Sequence, residues 1–235
     1  MLYLLPNLLD DSLDHKLFLP SSVDALIPEL DGIIVESEKP GRKFLKRFIQ
    51  KIQNVPIRML NEHTTAQEID LLVAPMQKGE KWALVSDAGL PVLADPGAQL
   101  IRCLNGLKIP VHTFPGPSAM IYALQLSGLS AQAFTFHGYL PRKPHALEQT
   151  LRNLSENHTH VFIEAPYRTD KLLSTLIASL SEETLLCVAW DLTLPSQGVR
   201  TQKIAAWKKK IPVLGKVPAV FLIREDYGKT HFKRR

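Results

Sequence analysis

Cysteine is scarce: Cys103 and Cys187 are the only two in 235 residues, and no C-x-x-C occurs. That argues against a disulfide framework and a cysteine-built zinc site, and favours free thiols in a reducing compartment. No apolar run approaches the ~20 residues that span a bilayer. The opening MLYLLPNLLDD lacks the basic region of a secretory signal, so a soluble, cytoplasmic protein is expected. Neither G-x-G-x-x-G nor G-x-x-x-x-G-K-[ST] is present, which removes the dinucleotide and P-loop readings. The eight histidines are scattered, and His158-x-His160 has no carboxylate or cysteine beside it, so no metal is expected. There is no internal repeat and no low-complexity segment.

What is present describes a globular chain: 45% apolar and 22% charged residues, with a mean hydropathy of −0.02. The formal charge of +5 is unevenly spread. Residues 1–38 carry eight acids (Asp10, Asp11, Asp14, Asp24, Glu29, Asp31, Glu36, Glu38) against Lys16 alone. Residues 39–58 carry seven bases and no acid, and residues 118–235 hold 16 bases and nine acids. In the basic segment Phe44, Leu45, Phe48, Ile49 and Ile52 share one helical face, leaving Arg42, Lys43, Lys46, Arg47 and Lys51 on the rest. That pattern suits a docked helix over 41–53 with an outer surface for RNA phosphates; a merely solvated face fits it equally. Lys208–Lys210 and Lys233–Arg235 are weaker candidates.

Short apolar runs alternate with helical periods. Strands are expected at Leu2–Leu5, Ile33–Glu36, Ile57–Leu60, Trp82–Ser86 and Pro110–Phe114, with helices near 21–30, 42–53, 65–78 and 97–107. This is the βαβ pattern of a parallel sheet. Pro96 fits a first helical turn, with Asp95 as its cap. A helix over 118–126, closed by Gly128, opens a second part with strands at Phe134–Gly138, His160–Glu164, Leu185–Trp190 and Pro218–Arg224. Helices near 145–155 and 169–180 space them, and short connections imply more antiparallel pairing. The loop Thr113-Phe114-Pro115-Gly116-Pro117 breaks helix and strand alike, so two α/β domains are expected, 1–113 and 114–235.

The loop Ser86-Asp87-Ala88-Gly89-Leu90-Pro91 through Asp95-Pro96-Gly97 follows an apolar strand and precedes a helix, the place where open α/β sheets bind ligands. Pro115-Gly116-Pro117-Ser118-Ala119 opens the next helix, whose free N–H groups favour a carboxylate or polar ligand edge. Each stretch alone also reads as a rigid turn.

Taken together with Phe136-His137-Gly138-Tyr139-Leu140-Pro141, these loops resemble the tetrapyrrole methylase superfamily. The branch they resemble is that of ribosomal RNA small-subunit methyltransferase I. The likeness runs through Phe162-Ile163-Glu164-Ala165-Pro166-Tyr167-Arg168, Ala189-Trp190-Asp191-Leu192-Thr193 and Gly215–Ile223. Two departures stand out. Leu5-Pro6-Asn7-Leu8-Leu9-Asp10 lacks the usual Gly-Asn pair of the first loop, and Val35-Glu36-Ser37-Glu38-Lys39 replaces an acid-Asp-Thr-Arg. Gly89-Leu90 also stands where Gly-Thr is usual.

The resemblance implies a two-domain α/β fold, a parallel-sheet N-terminal domain and a mixed-sheet C-terminal domain. S-adenosylmethionine would lie in the cleft between them, usually in a homodimer. Ser86, Asp87, Gly89, Leu90, Ser118, Ala119, Ile163, Ala189 and Ala219 would line the cofactor; for the apolar ones, core packing is the alternative. The implied reaction is methyl transfer to a ribose 2′-hydroxyl of small-subunit ribosomal RNA, driven chiefly by in-line placement. Glu164, Glu36 or Asp191 would serve as base, with Arg168 orienting a carboxylate or contacting phosphate. Two rival readings stay open: a tetrapyrrole C-methyltransferase and a non-catalytic RNA-binding relative.

Overall fold

The computed structural model describes residues 1–49, 55–155 and 157–225, so Lys51 and the Lys233–Arg235 run lie outside the described residues. The chain parts into two compact units between Ser118 and Ala119.

The first unit runs β1 (Leu2–Leu5), α1 (Ser21–Leu26), β2 (Gly32–Val35), α2 (Glu38–Lys46), β3 (Ile57–Met59), α3 (Ala66–Gln77), β4 (Trp82–Val85), α4 (Ala98–Gly106) and β5 (Val111–Thr113). All pairings are parallel, in the order β3-β2-β4-β1-β5. Both faces of the sheet are covered, which is why GIIV and WALV are buried end to end. On one face Leu5, Ile33, Val35, Ala83 and Val85 pack against Val23 of α1 and Phe44 and Leu45 of α2. On the other, Leu2, Ile34, Trp82 and Leu84 pack against Ile69, Leu72 and Val73 of α3 and Leu100 and Leu104 of α4. A reciprocal cap starts α3: Thr65 N donates to Glu68 Oε2 at 2.7 Å, and Glu68 N donates back to Thr65 Oγ1.

Three local expectations change. The helix expected over 21–30 ends at Leu26 and continues as a 3₁₀ turn over Ile27–Glu29, because Pro28 has no N–H to extend it. The basic helix starts at Glu38 rather than near 41, since Pro40 in the first turn needs no N–H partner, and its regular α part ends at Lys46. Asp95 does not cap α4. Gly97, at φ +140°, is the capping position and makes the turn into Ala98.

The second unit runs α5 (Ala119–Ser127), β6 (Phe134–Tyr139), α6 (Pro144–Arg152), β7 (Thr159–Glu164), α7 (Thr169–Ser179), β8 (Leu185–Trp190), β9 (Gly198–Lys203), α8 (Ile204–Lys209) and β10 (Ala219–Arg224). Its sheet has the order β6-β7-β10-β8-β9, with β6–β7 parallel and the other three pairings antiparallel. Packing of α5 covers one face. Leu147, Leu172, Leu173, Leu176, Ile204 and Trp207 of α6–α8 cover the other, over Phe162, Val188 and Phe221. Strand β9 and helix α8 have no counterpart in the sequence reading. GVRTQK is a mostly polar edge strand, and a six-residue helix is too short to show a period.

Among the described residues, no helix is long and apolar enough to cross a membrane. Nor does any group of three or more His, Cys, Asp or Glu gather to hold a metal ion.

Candidate functional site

The carboxyl ends of β1 and β4 form a topological switch point. The strands are hydrogen-bonded neighbours, yet β1 leads to α1 on one face and β4 leads to α4 on the other. Their loops diverge and leave a crevice, the usual ligand position in such sheets.

Asn7, 1% exposed, locks the loops around that crevice. Its Nδ2 donates to Ser86 O and Asp87 O, each at 3.0 Å, and its backbone N donates to Gly89 O at 2.8 Å. Its Oδ1 accepts from Leu8 N at 2.9 Å and from Arg47 Nη1 at 2.8 Å. The third loop, after β5, presses on the first: a Cβ built at Gly116 would lie 2.1 Å from Pro6 Cβ. One built at Gly89 would meet Pro117 O at 3.4 Å and Leu9 Cδ2 at 3.5 Å. Gly89, Val92, Ala94 and Gly97 all have positive φ, so the β4–α4 loop is held in a conformation that non-glycine residues rarely adopt.

Within this loop Ser86 is buried and Asp87 exposed. The Asp95 carboxyl is pushed up to about 6, mainly by burial, with the Asp87 charge adding and a Ser86 hydrogen bond opposing. Glu36, just past β2, is also raised, by burial and then by Asp95, Asp87 and Glu62. This end of the sheet is therefore negative, which favours a cationic ligand group and weakens the acids' own ionisation.

The other residues singled out from sequence fall as follows. Ser118 and Ala119 stand at the start of α5. Ile163 and Ala189 are both paired with Val220, and so share the face covered by α5. Ala219 belongs to the next row, with Glu164 and Trp190, and packs on the α6–α8 side. The Glu164 side chain is fully buried: Oε1 accepts from Ala165 N at 2.8 Å, and Oε2 lies 3.2 Å from Arg168 Nη2 without a hydrogen bond. Asp191, another base candidate, accepts from Ser196 Oγ at 2.8 Å.

The basic helix is largely occupied with its own chain. Arg42 pairs with Glu38. Lys43 pairs with Asp11 at 2.8 Å, and Arg47 with the other oxygen of Asp11. Lys46 is exposed. The acidic opening and the basic segment thus partly neutralise each other.

Residues 20–207 match the family model described as Tetrapyrrole (Corrin/Porphyrin) Methylases. The chain belongs to this family. Within it, the chain is 38% identical over 162 residues to "Ribosomal RNA small subunit methyltransferase I" of Xylella fastidiosa, covering 68% of this chain and 58% of that protein. It is 33% identical over 205 residues to the protein of the same name from Thermotoga maritima, covering 84% of this chain and 88% of that one. It spans less than two thirds of the Xylella, Synechocystis and Escherichia coli relatives. Among solved structures, uroporphyrin-III C-methyltransferase of Thermus thermophilus, complexed with S-adenosylhomocysteine, aligns with a TM-score of 0.54 at 14% identity. That alignment covers 95% of this chain and 97% of that one, a likeness of fold.

Asn7 is the residue of the site that sequence reasoning missed. Reading the first loop as lacking its Gly-Asn pair drew attention from the asparagine two positions past the end of β1. The available signal was a lone amide in an otherwise apolar strand end, where backbone carbonyls need donors.

Proposed function

We propose that this methylase transfers a methyl group from S-adenosylmethionine to small-subunit ribosomal RNA. The observation that carries the reading is the Thermotoga match, which extends over most of both chains. The crevice suits such a donor: small residues let it approach the β4–α4 loop backbone, and Asp87, Asp95 and Glu36 give the negative potential a cationic donor needs.

Ser86, Asp87, Gly89 and Leu90 of the first unit, and Ser118, Ala119, Ile163, Ala189 and Ala219, are proposed to hold the cofactor. When bound, S-adenosylmethionine supplies a methyl group on a sulfonium, which needs no further activation. The chain's task is then placement and proton removal. Rigid positioning by the Asn7-braced loop is worth up to ~7–11 kcal/mol in such reactions. Glu164 is the proposed base, since its buried Oε2 has a lone pair that no donor engages. Arg168, with Nη2 3.2 Å from Oε2, orients that carboxylate. Lys46 and Lys51 of the basic segment, with Arg42 and Lys43 where their pairs open, are proposed to touch RNA phosphates; Arg47, held by Asn7 and Asp11, is left to the crevice.

As finer parts of the same proposal, the acceptor is a ribose 2′-hydroxyl and the chain works as a cytoplasmic homodimer. Incubation with methyl-labelled S-adenosylmethionine and small ribosomal subunits should label the RNA, and the labelled linkage should resist alkali. Label appearing only in a porphyrinogen would overturn the proposal. Sedimentation equilibrium reads the dimer.

A further inference from the structure

Beside Glu164, Arg168 and Asp191, the second unit carries exposed cations that the site above does not use. Strands β7 and β8 both run antiparallel to β10, so Glu164 and Trp190 end beside Ala219, where β10 begins. Strand β6, parallel to β7, ends at Tyr139 opposite Ile163. The segments 140–143, 165–168, 191–197 and 211–218 therefore gather at one end of this sheet.

Every carboxylate there is engaged by its own chain. Glu164 is held by Ala165 N and Arg168, and Asp191 by Ser196. Asp170 accepts from Leu214 N at 2.8 Å and Gly215 N at 3.0 Å. The cations are not cancelled in return. Arg142, Lys143 and Lys216 are exposed, and no ion pair involves them among the described residues. Helix α6, which Lys143 precedes, has no acid in its first turn. Two aromatic rings stand among these cations: Tyr139 is 62% and Tyr167 63% exposed, and Tyr167 OH accepts from Arg142 Nη2 at 3.1 Å.

We infer that this end of the second sheet is an RNA-contact surface, in which Arg142, Lys143 and Lys216 meet phosphates and Tyr167 stacks on an unpaired base. Cations spaced by exposed rings match a strand of alternating phosphate and base, and single-stranded recognition depends on that combination. The carboxylates are tied back within the protein, so a polyanion meets little repulsion here. The inference rests on the RNA reading and names a surface for it apart from the basic helix.

The test compares the parent with Arg142→Gln/Lys143→Gln/Lys216→Gln, with Tyr167→Ala, and with Arg152→Gln/Lys203→Gln/Lys208→Gln as a charge-matched control. The probe is a fluorescein-labelled transcript of small-subunit ribosomal RNA, titrated at several salt concentrations. Losing three phosphate contacts should flatten the log–log salt slope by about 2, taking ~0.7 per contact for a single strand. Tyr167→Ala should weaken binding about tenfold with the slope kept. S-adenosylmethionine binding by calorimetry should stay at the parent value in both, and the control should bind RNA as the parent does. Lys216→Glu, a single exposed change, repeats the measurement should the triple variant not fold. A triple variant with the parent's slope and methylation rate overturns this inference and leaves the RNA reading standing. A parent that neither binds nor methylates RNA overturns both.

Discussion

Arg47 donates from Nη1 to the side-chain oxygen of Asn7 at 2.8 Å, so a residue that charge pattern assigns to RNA braces the crevice from behind. The same guanidinium is paired with Asp11, and its side chain is only 11% exposed. Asn7→Ala should leave two loop carbonyls without their donor, costing about 1–3 kcal/mol. Melting should fall by roughly 2–4 °C for each kcal/mol lost. Arg47→Gln should lower both stability and S-adenosylmethionine affinity while leaving the RNA salt slope alone. An altered slope with unchanged melting would contradict this role.

Gly116 and Gly106 should respond to alanine in opposite directions. At Gly116 the new methyl would strike the rigid ring of Pro6, so overpacking should cost about 1–3 kcal/mol and weaken cofactor binding. At Gly106, the last residue of α4, a Cβ meets nothing within 4 Å. There alanine should raise stability by about 0.4–1 kcal/mol. Calorimetric melting of the two variants decides it.

Asp95 makes stability fall as pH rises. Its folded value near 6 lies above the ordinary 3.8, so the folded chain holds this proton more tightly. Its contribution is present below about 4 and is lost as pH rises through 6. Asp95→Asn should therefore gain melting temperature over the parent at pH 7.5 and show little gain at pH 4.5. Equal gains at both values would remove the carboxyl as the cause.

His137 works in the opposite sense. Its Nε2 lies 2.9 Å from Nδ1 of the buried His160, and its ring stacks on Phe162. Burial, then the charge of His160, lowers its affinity for a proton below the ordinary 6.5. The contribution is complete above about 6.5 and is lost as pH falls through the lowered folded value. His137→Gln should flatten the acid limb of the melting-temperature profile between pH 7 and 5. A limb of unchanged steepness would point to other groups.

Glu164→Gln keeps the shape and the acceptor for Ala165 N but removes the charge that Arg168 faces. As the proposed base, its loss should lower kcat by about 10²–10⁴ with KM for S-adenosylmethionine little changed. A parent-like kcat would reduce Glu164 to an anchor for Arg168.

Much of the framework was legible residue by residue. Apolar runs such as WALV and LLCVAW could only be buried strands, and Gly128 and Pro117 marked a helix end and a loop wherever the chain went. The SDAG and PGPS loops announced themselves because small residues and prolines after an apolar strand restrict the backbone locally. Strand β9 escaped because four of the six residues of GVRTQK are polar, so this edge strand shows no apolar run. Helix α4 kept its place but exchanged its expected cap, because Gly97 reached a φ closed to aspartate and freed Asp95 to turn toward Ser86.

By itself, the sequence determined the elements and the motif loops, since these follow from local backbone preference and hydrophobic period. Tertiary structure decided the partners. The acidic opening and the basic helix, adjoining charge blocks in the sequence, meet through Asp11, paired with Lys43 and Arg47 more than thirty residues away. At the end of the second sheet, Arg142, Lys143 and Lys216 have no ion pair among the described residues, and no charge run singled them out. The reason is physical: composition fixes how many charges a chain carries, but only folding brings opposite charges within the few ångströms where one neutralises another.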